Sequence, residues 1–108
     1  MSKHSWSVPA SVVRVVDADT VELLLDLGWR VQMRANARIF GVDAPELSTP
    51  AGRAARDWAV QKLPVGTEVL FTSMSLDKYG RPLGILWLAG RDYGQALVEA
   101  GHAEPYDC

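Results

Sequence analysis

Val31–Ile39 reads VQMRANARI. Val31, Met33, Ala35, Ala37 and Ile39 alternate with Gln32, Arg34, Asn36 and Arg38. A period of two over such a stretch predicts a half-buried β-strand with one polar face. That face carries Arg34 and Arg38. The strand then runs into Gly41-Val42-Asp43-Ala44-Pro45-Glu46, so a guanidinium is followed at once by two carboxylates.

Working outward, the chain alternates β-type runs with turn chemistry. Ser11–Val16 is β-branched and predicts a strand, with Asp17-Ala18-Asp19-Thr20 as its turn and Val21–Leu25 as the return strand. Leu27-Gly28-Trp29 carries the next turn signal. Beyond the central strand, Gly41–Pro50 reads as a loop and Pro50–Leu63 as a helix. That helix shows an apolar stripe of Ala55, Ala59 and Leu63 with Trp58 beside it. Thr67–Thr72 and Leu83–Leu88 predict two more strands around the turn Asp77–Pro82. Asp92–Ala100 predicts a short helix stopped by Gly101, and the tail reads as irregular. Three strands, a helix, two strands and a helix make an α+β, mainly β order. It is the order of a five-stranded Greek-key OB-fold barrel with two short helices.

The chain has 108 residues, enough for one core; residues 1–10 read as an N-terminal extension and 11–108 as a single domain. No apolar run reaches the ~20 residues of a membrane span, and the N-terminus has no signal-type apolar region, so the expected setting is cytoplasmic with no membrane partner. The only cysteine is Cys108, which excludes an internal disulfide. The net charge of −2 carries no whole-chain signature of nucleic-acid binding. The acids, however, cluster. Asp17, Asp19, Asp43 and Glu46 fall in two short segments, while Arg30, Arg34 and Arg38 recur along one strand.

Singly, these residues are ordinary turn formers and solvated charges. Together they make a chemical set. Aspartates offered from two loops suit a hard cation with oxygen ligands such as Ca²⁺. Arg38 and Arg81 supply planar forks that match phosphate oxygens. Glu46 stands three residues past Asp43, where it can take a proton from water. Metal, base and guanidinium clamp form a minimal kit for phosphodiester hydrolysis.

The motifs V-x-D-A-D-T (Val15–Thr20), R-I-F-G-V-D-A-P-E (Arg38–Glu46), D-K-Y-G-R (Asp77–Arg81) and A-L-V-E-A-G (Ala96–Gly101) resemble those of the staphylococcal nuclease (thermonuclease) family, in order and spacing, from about Ser11 to His102. The resemblance implies that Asp19 and Asp43 ligate a metal together with the Ala44 backbone carbonyl. It also implies that Glu46 is the general base, that Arg38 and Arg81 hold the phosphate, and that Lys78 and Tyr79 lie near a flanking phosphate. Members hydrolyse DNA and RNA with Ca²⁺, breaking the 5′ P–O bond and leaving 3′-phosphate ends. Arg34, on the same strand face as Arg38, is the expected peripheral phosphate contact.

The sequence departs from the family pattern in four places. Ala18 replaces a usual glycine and strains the turn if that position needs φ > 0. The loop after Glu46 is short, without the lysine-rich insert of better-known members. Gly94 replaces a usual asparagine, weakening an internal tie. The family's third helix has no counterpart before Cys108, which leads to the expectation of a bare apolar side and a homodimer. Two alternative readings stand beside the nuclease: a silent module that binds nucleic acid or a protein, and a purely structural barrel. The presence of Asp19, Arg38, Asp43, Glu46 and Arg81 argues against the first; the second is supported by the acidic balance and the short tail.

Overall fold

The computed structural model describes residues 6–106. Eight strands and two helices follow in the order β1 (Trp6–Asp17), β2 (Thr20–Asp26), β3 (Gln32–Ile39), β4 (Val42–Asp43), α1 (Pro50–Lys62), β5 (Glu68–Leu76), β6 (Pro82–Leu88), β7 (Arg91–Asp92), α2 (Tyr93–Glu99) and β8 (Glu104–Pro105). The main sheet has the order β3-β2-β1-β5-β6-β7, and a parallel pairing of β3 with β6 closes five of its strands into a barrel. This is the OB-type connectivity the sequence predicts.

Strand β1 starts at Trp6 rather than Ser11. Trp6–Ser11 pair with β5 and Ala10–Asp17 with β2, so one long strand serves both sides of the barrel. Residues 6–10, read above as extension, are therefore strand; Cys108 lies outside the described residues. The register slips between Val12 and Arg14. A slip of this kind bends a strand and increases its twist, as turning a barrel corner requires. Strand β5 also runs further than expected, to Leu76, with its own slip between Ser73 and Ser75.

Inward-facing Val12, Val21, Leu23, Ile39, Phe71 and Leu86 fill the barrel. Helix α1 packs on β1 through the buried stripe Ala55 and Ala59, and Leu63 caps it. Thr49 is its N-cap: Oγ1 accepts from the Gly52 N–H at 3.0 Å, and Pro50 opens the first turn. Helix α2 inserts the buried Tyr93 and Leu97 and packs on β6, β4 and β7. The tail is not wholly irregular, because β8 pairs with β4, Asp43 opposite Glu104.

The alternation that defines β3 is buried over only half its length. Ala37 and Ile39 are fully buried, while Met33 is 45% and Val31 51% exposed. The β2 side of the same face stays inside, Leu25 opposite Met33 being 4% exposed, so only the β3 edge of the outer hairpin is left open. Its tip is a tight turn in which the Val31 N–H donates to the Gly28 oxygen at 2.8 Å. The two central residues are left-handed: Trp29 at φ 58° and Arg30 at φ 62°. No helix among the described residues is long and apolar enough to cross a membrane.

Candidate active site

The parallel seam places Arg38 opposite Leu83 and Ile39 opposite Gly84, so the end of β3 meets the start of β6. The Ile39 N–H donates to the Asp19 oxygen at 2.9 Å, which binds the β1–β2 turn to the same point. Three motifs far apart in the chain therefore meet at one barrel mouth. A cavity of about 430 Å³ opens there, lined by Arg38, Asp43, Asp77, Lys78, Tyr79, Arg81, Leu83 and Tyr106.

Arg38 is the hub. Its side chain is 14% exposed; Nη2 lies 3.7 Å from Asp19 Oδ2 and 3.5 Å from Asp43 Oδ1. Nη1 donates to the Ile39 carbonyl at 2.8 Å. Asp19 is held from the other side, its Oδ2 accepting the Ala44 N–H at 2.9 Å. Asp43 projects into solvent from β4 and stands between the main cavity and a neighbouring one of about 320 Å³, which Ala44, Pro45, His102 and Tyr106 also line.

Arg81 is fixed by a group to which the sequence reading assigns no role. Asp77 Oδ2 accepts from Arg81 Nε at 2.6 Å, and Oδ1 accepts the backbone N–H groups of Tyr79 and Arg81 at 2.9 and 2.8 Å. With Nε occupied, the terminal Nη groups of Arg81 remain for a ligand. Lys78 Nζ and the Arg81 guanidinium both lie over the Tyr79 ring, 5.3 and 5.4 Å from its centroid.

Beneath the aspartates lies an unpartnered group. Asp17 Oδ1 is buried with no hydrogen-bond partner. Burial first, then the adjacent Asp19 carboxylate, pushes Asp17 up to about 6. An orphaned carboxylate oxygen beside a second carboxylate fits a place where a cation is expected. Among the described residues, no three acidic, histidine or cysteine side chains converge on one point. Asp19 and Asp43, both beside Arg38, offer carboxylate oxygens of the kind a hard cation such as Ca²⁺ accepts.

Two expected site residues lie apart from this cluster. Glu46 is exposed and lines neither cavity; only its backbone is fixed, its oxygen accepting from Thr49 Oγ1 at 2.7 Å. Arg34 is 65% exposed and lies 3.6 Å from Glu22, which Arg14 also pairs at 2.8 Å. Two of the departures from the family pattern resolve physically. Ala18 is buried without a left-handed backbone, so the turn is not strained there. Its carbonyl accepts the buried Tyr93 hydroxyl at 2.7 Å, a tie supplied by the residue next to Gly94. Burial, then the charges of Asp19 and Asp17, push the Tyr93 phenol far up, so it stays a neutral donor. Tyr106, Asp77 and Tyr93 are what the sequence reading missed. Only Asp77 had a local signal, as the first residue of a tight turn.

A five-stranded OB-type barrel whose mouth gathers Arg38, Asp19, Asp43 and Arg81 defines the class, a small barrel with a charged cleft at its strand ends. The comparisons specify it further. The model of the family described as staphylococcal nuclease homologue matches residues 36–108, and the chain belongs to that family. It is 35% identical to an uncharacterized endonuclease of Escherichia coli O157:H7, over 95% of this chain and 67% of that protein. It is 31% identical to Protein ParB of Escherichia coli, over 98% of this chain and 62% of that protein. The thermonuclease of Staphylococcus hyicus is 31% identical, over 85% of this chain and 56% of that protein. The chain thus spans between 56 and 67% of the length of these relatives.

Proposed function

We propose that the chain is a Ca²⁺-dependent nuclease hydrolysing phosphodiester bonds in DNA, RNA or both. The observation that carries this reading is the convergence of Arg38, Asp19 and Asp43 beside a cavity that also admits Arg81, Lys78 and Tyr79. Asp19, Asp43 and the Ala44 carbonyl would hold the ion, which when bound supplies Lewis-acid charge next to the phosphate.

The chain's own groups do the rest. The Nη groups of Arg38 and Arg81 bind two faces of one phosphate and stabilise the charge that builds on its oxygens. Asp77 orients Arg81, and Lys78 with Tyr79 receives the flanking nucleotide. Glu46 takes the proton from the attacking water. A new P–O bond forms to that water as the bond to the 5′ oxygen breaks, and the departing 5′ oxygen takes a proton from solvent, giving a 3′-phosphate and a 5′-hydroxyl, as the family resemblance implies. Tyr93 keeps the Asp17–Asp19 turn in place from below.

One observation favours a second reading: Glu46 lies outside both cavities. In that reading the barrel holds nucleic acid without cutting it. A DNA-cleavage assay with Ca²⁺ and with chelator decides. The expected result is cleavage in Ca²⁺, negligible cleavage in chelator, and weaker turnover with Mg²⁺, whose geometry is stricter. Binding without cleavage in Ca²⁺ supports the silent module; equal cleavage in chelator removes the metal from the reading.

A further inference from the structure

The tip of the β2–β3 hairpin is built against the local preferences of its backbone. Trp29 and Arg30 occupy the two central positions of a tight turn, both left-handed, where asparagine and glycine are the comfortable residues. Trp29 is 97% exposed, so the largest apolar side chain in the alphabet gains no packing from the fold there. Backbone outliers of this kind cluster at ligand clamps. Val31 and Met33 extend the exposed apolar surface from the tip along β3.

The surroundings indicate what covers it. Arg30 pairs with none of the described acids, and Asp26, at the end of β2, has its Oδ1 accepting the Gly28 N–H at 2.9 Å. Along the outer face toward the cavity stand Arg34 and Arg14, which share the single carboxylate of Glu22 and leave a net positive charge. The strand that carries Arg38 at the cavity is therefore preceded by an exposed tryptophan and Arg30, and its outer face carries Arg34, which shares one carboxylate with Arg14. Positive charge interleaved with a free aromatic ring matches single-stranded nucleic acid, which offers phosphates to the arginines and a base face to the ring.

We infer that Trp29 and Arg30 form a remote nucleic-acid contact, in which Trp29 stacks on a base of the strand leaving the cavity along β3. This rests on the nuclease reading of the cavity and extends it. From Arg30 to Arg38, a strand rising ~3.3 Å per residue covers about 26 Å. At ~3.4 Å per stacked nucleotide that is roughly eight nucleotides, fewer if the strand is splayed. A trinucleotide at the cavity cannot reach the tip, whereas a 12-mer can.

The test uses the full chain and Trp29→Asn, which suits the left-handed turn and should fold at least as stably as wild type. Affinity for a labelled single-stranded 12-mer is read by fluorescence anisotropy, and kcat/KM in Ca²⁺ is read on the 12-mer and on a trinucleotide. The expected result is a loss of about 10-fold or more in 12-mer affinity, in line with removing one stacked base. The trinucleotide rate stays unchanged and the melting temperature is equal or higher. Trp29→Phe should recover most of the affinity. A 12-mer made abasic at successive positions should lose the wild-type advantage at one or two positions distant from the cut. Unchanged 12-mer affinity in Trp29→Asn overturns the inference. So does an equal loss on the trinucleotide, which would make the tip a structural element of the cavity. Loss of binding to anionic vesicles with 12-mer affinity intact would assign the tip to a membrane instead. If neither protein cleaves yet the 12-mer affinities differ, the nuclease reading fails and the contact stands.

Discussion

At the scale of single residues, charge and geometry separate cleanly among three arginines. Arg38 is enclosed between Asp19 and Asp43 and donates to a carbonyl; Arg81 is steered by Asp77; Arg34 is a solvated neighbour of Glu22. Lysine keeps the charge of each but not the planar fork. Arg38→Lys is expected to lower kcat by about 10²-fold, the loss associated with one transition-state donor. Arg81→Lys should be comparable, with a larger share in KM, while Arg34→Lys should alter little beyond salt dependence. Steady-state kinetics on one substrate checks all three, and equal behaviour of the three variants would dissolve the clamp. Glu46→Gln tests the base separately: a fall of ~10²–10⁴-fold in kcat is expected, with unchanged melting. The sequence made Arg38, Asp43 and Arg81 legible because each sits in a short motif whose neighbours share its purpose. It concealed Tyr93 and Tyr106, whose partners are distant. The Tyr93 hydroxyl reaches Ala18 across 75 positions, and Tyr106 enters the cavity only because β8 pairs with β4.

Among the elements, α1 was readable to within a residue because its ends carry local chemistry, Thr49 and Pro50 at one end and Leu63 at the other. Strand ends were less legible. Pairing extends β1 back to Trp6, through Pro9, which reads as a strand breaker, and β5 on to Leu76, through Met74 and Leu76, which stay exposed. The burial of β3 was misjudged for a related reason: a period of two identifies a face, but not how much of it neighbouring elements cover; Leu25 is buried opposite Met33, which is not. Helix α1 has a second duty, visible only in space. A Cβ at Gly52 would lie 1.8 Å from the Glu46 oxygen, so the helix packs against the backbone that carries Glu46. Helix propensity alone says that Gly52→Ala stabilises by about 1 kcal/mol. The contact reverses the sign: a net loss of about 1–3 kcal/mol is expected as the loop is displaced, together with a fall in activity of more than about 10-fold from misplacing a catalytic group. The control is Ala54→Gly on the exposed side, expected to cost about 1 kcal/mol with activity intact. Chemical denaturation and a rate measurement on both variants check the pair.

For the whole molecule, strand order fixed the barrel from the sequence, because three strands, a helix and two strands have few ways to bury their apolar faces. What strand order could not show is how slender the closure is. The β3–β6 seam consists of two facing pairs, and it needs Gly84, where a Cβ would stand 2.1 Å from the Thr72 oxygen and 2.9 Å from the Phe71 ring. Gly84→Ala should therefore lower the melting temperature by roughly 10 °C or more, as overpacking of a few kcal/mol does in a domain of this size. A melting temperature within a degree or two of wild type would show that the seam yields without cost. The seam residue Arg38 is also the hub of the cavity, so breathing and occupancy share one hinge. If Arg38 and Arg81 hold one phosphate as proposed, that phosphate would act as a clasp across the gap. The amide that spans the gap, Phe40 N–H to the Gly84 oxygen, is its natural reporter. Hydrogen exchange checks this: the Phe40 proton is expected to exchange faster in free protein and to slow when a phosphate ligand is added, more than amides of the β1–β2 hairpin do.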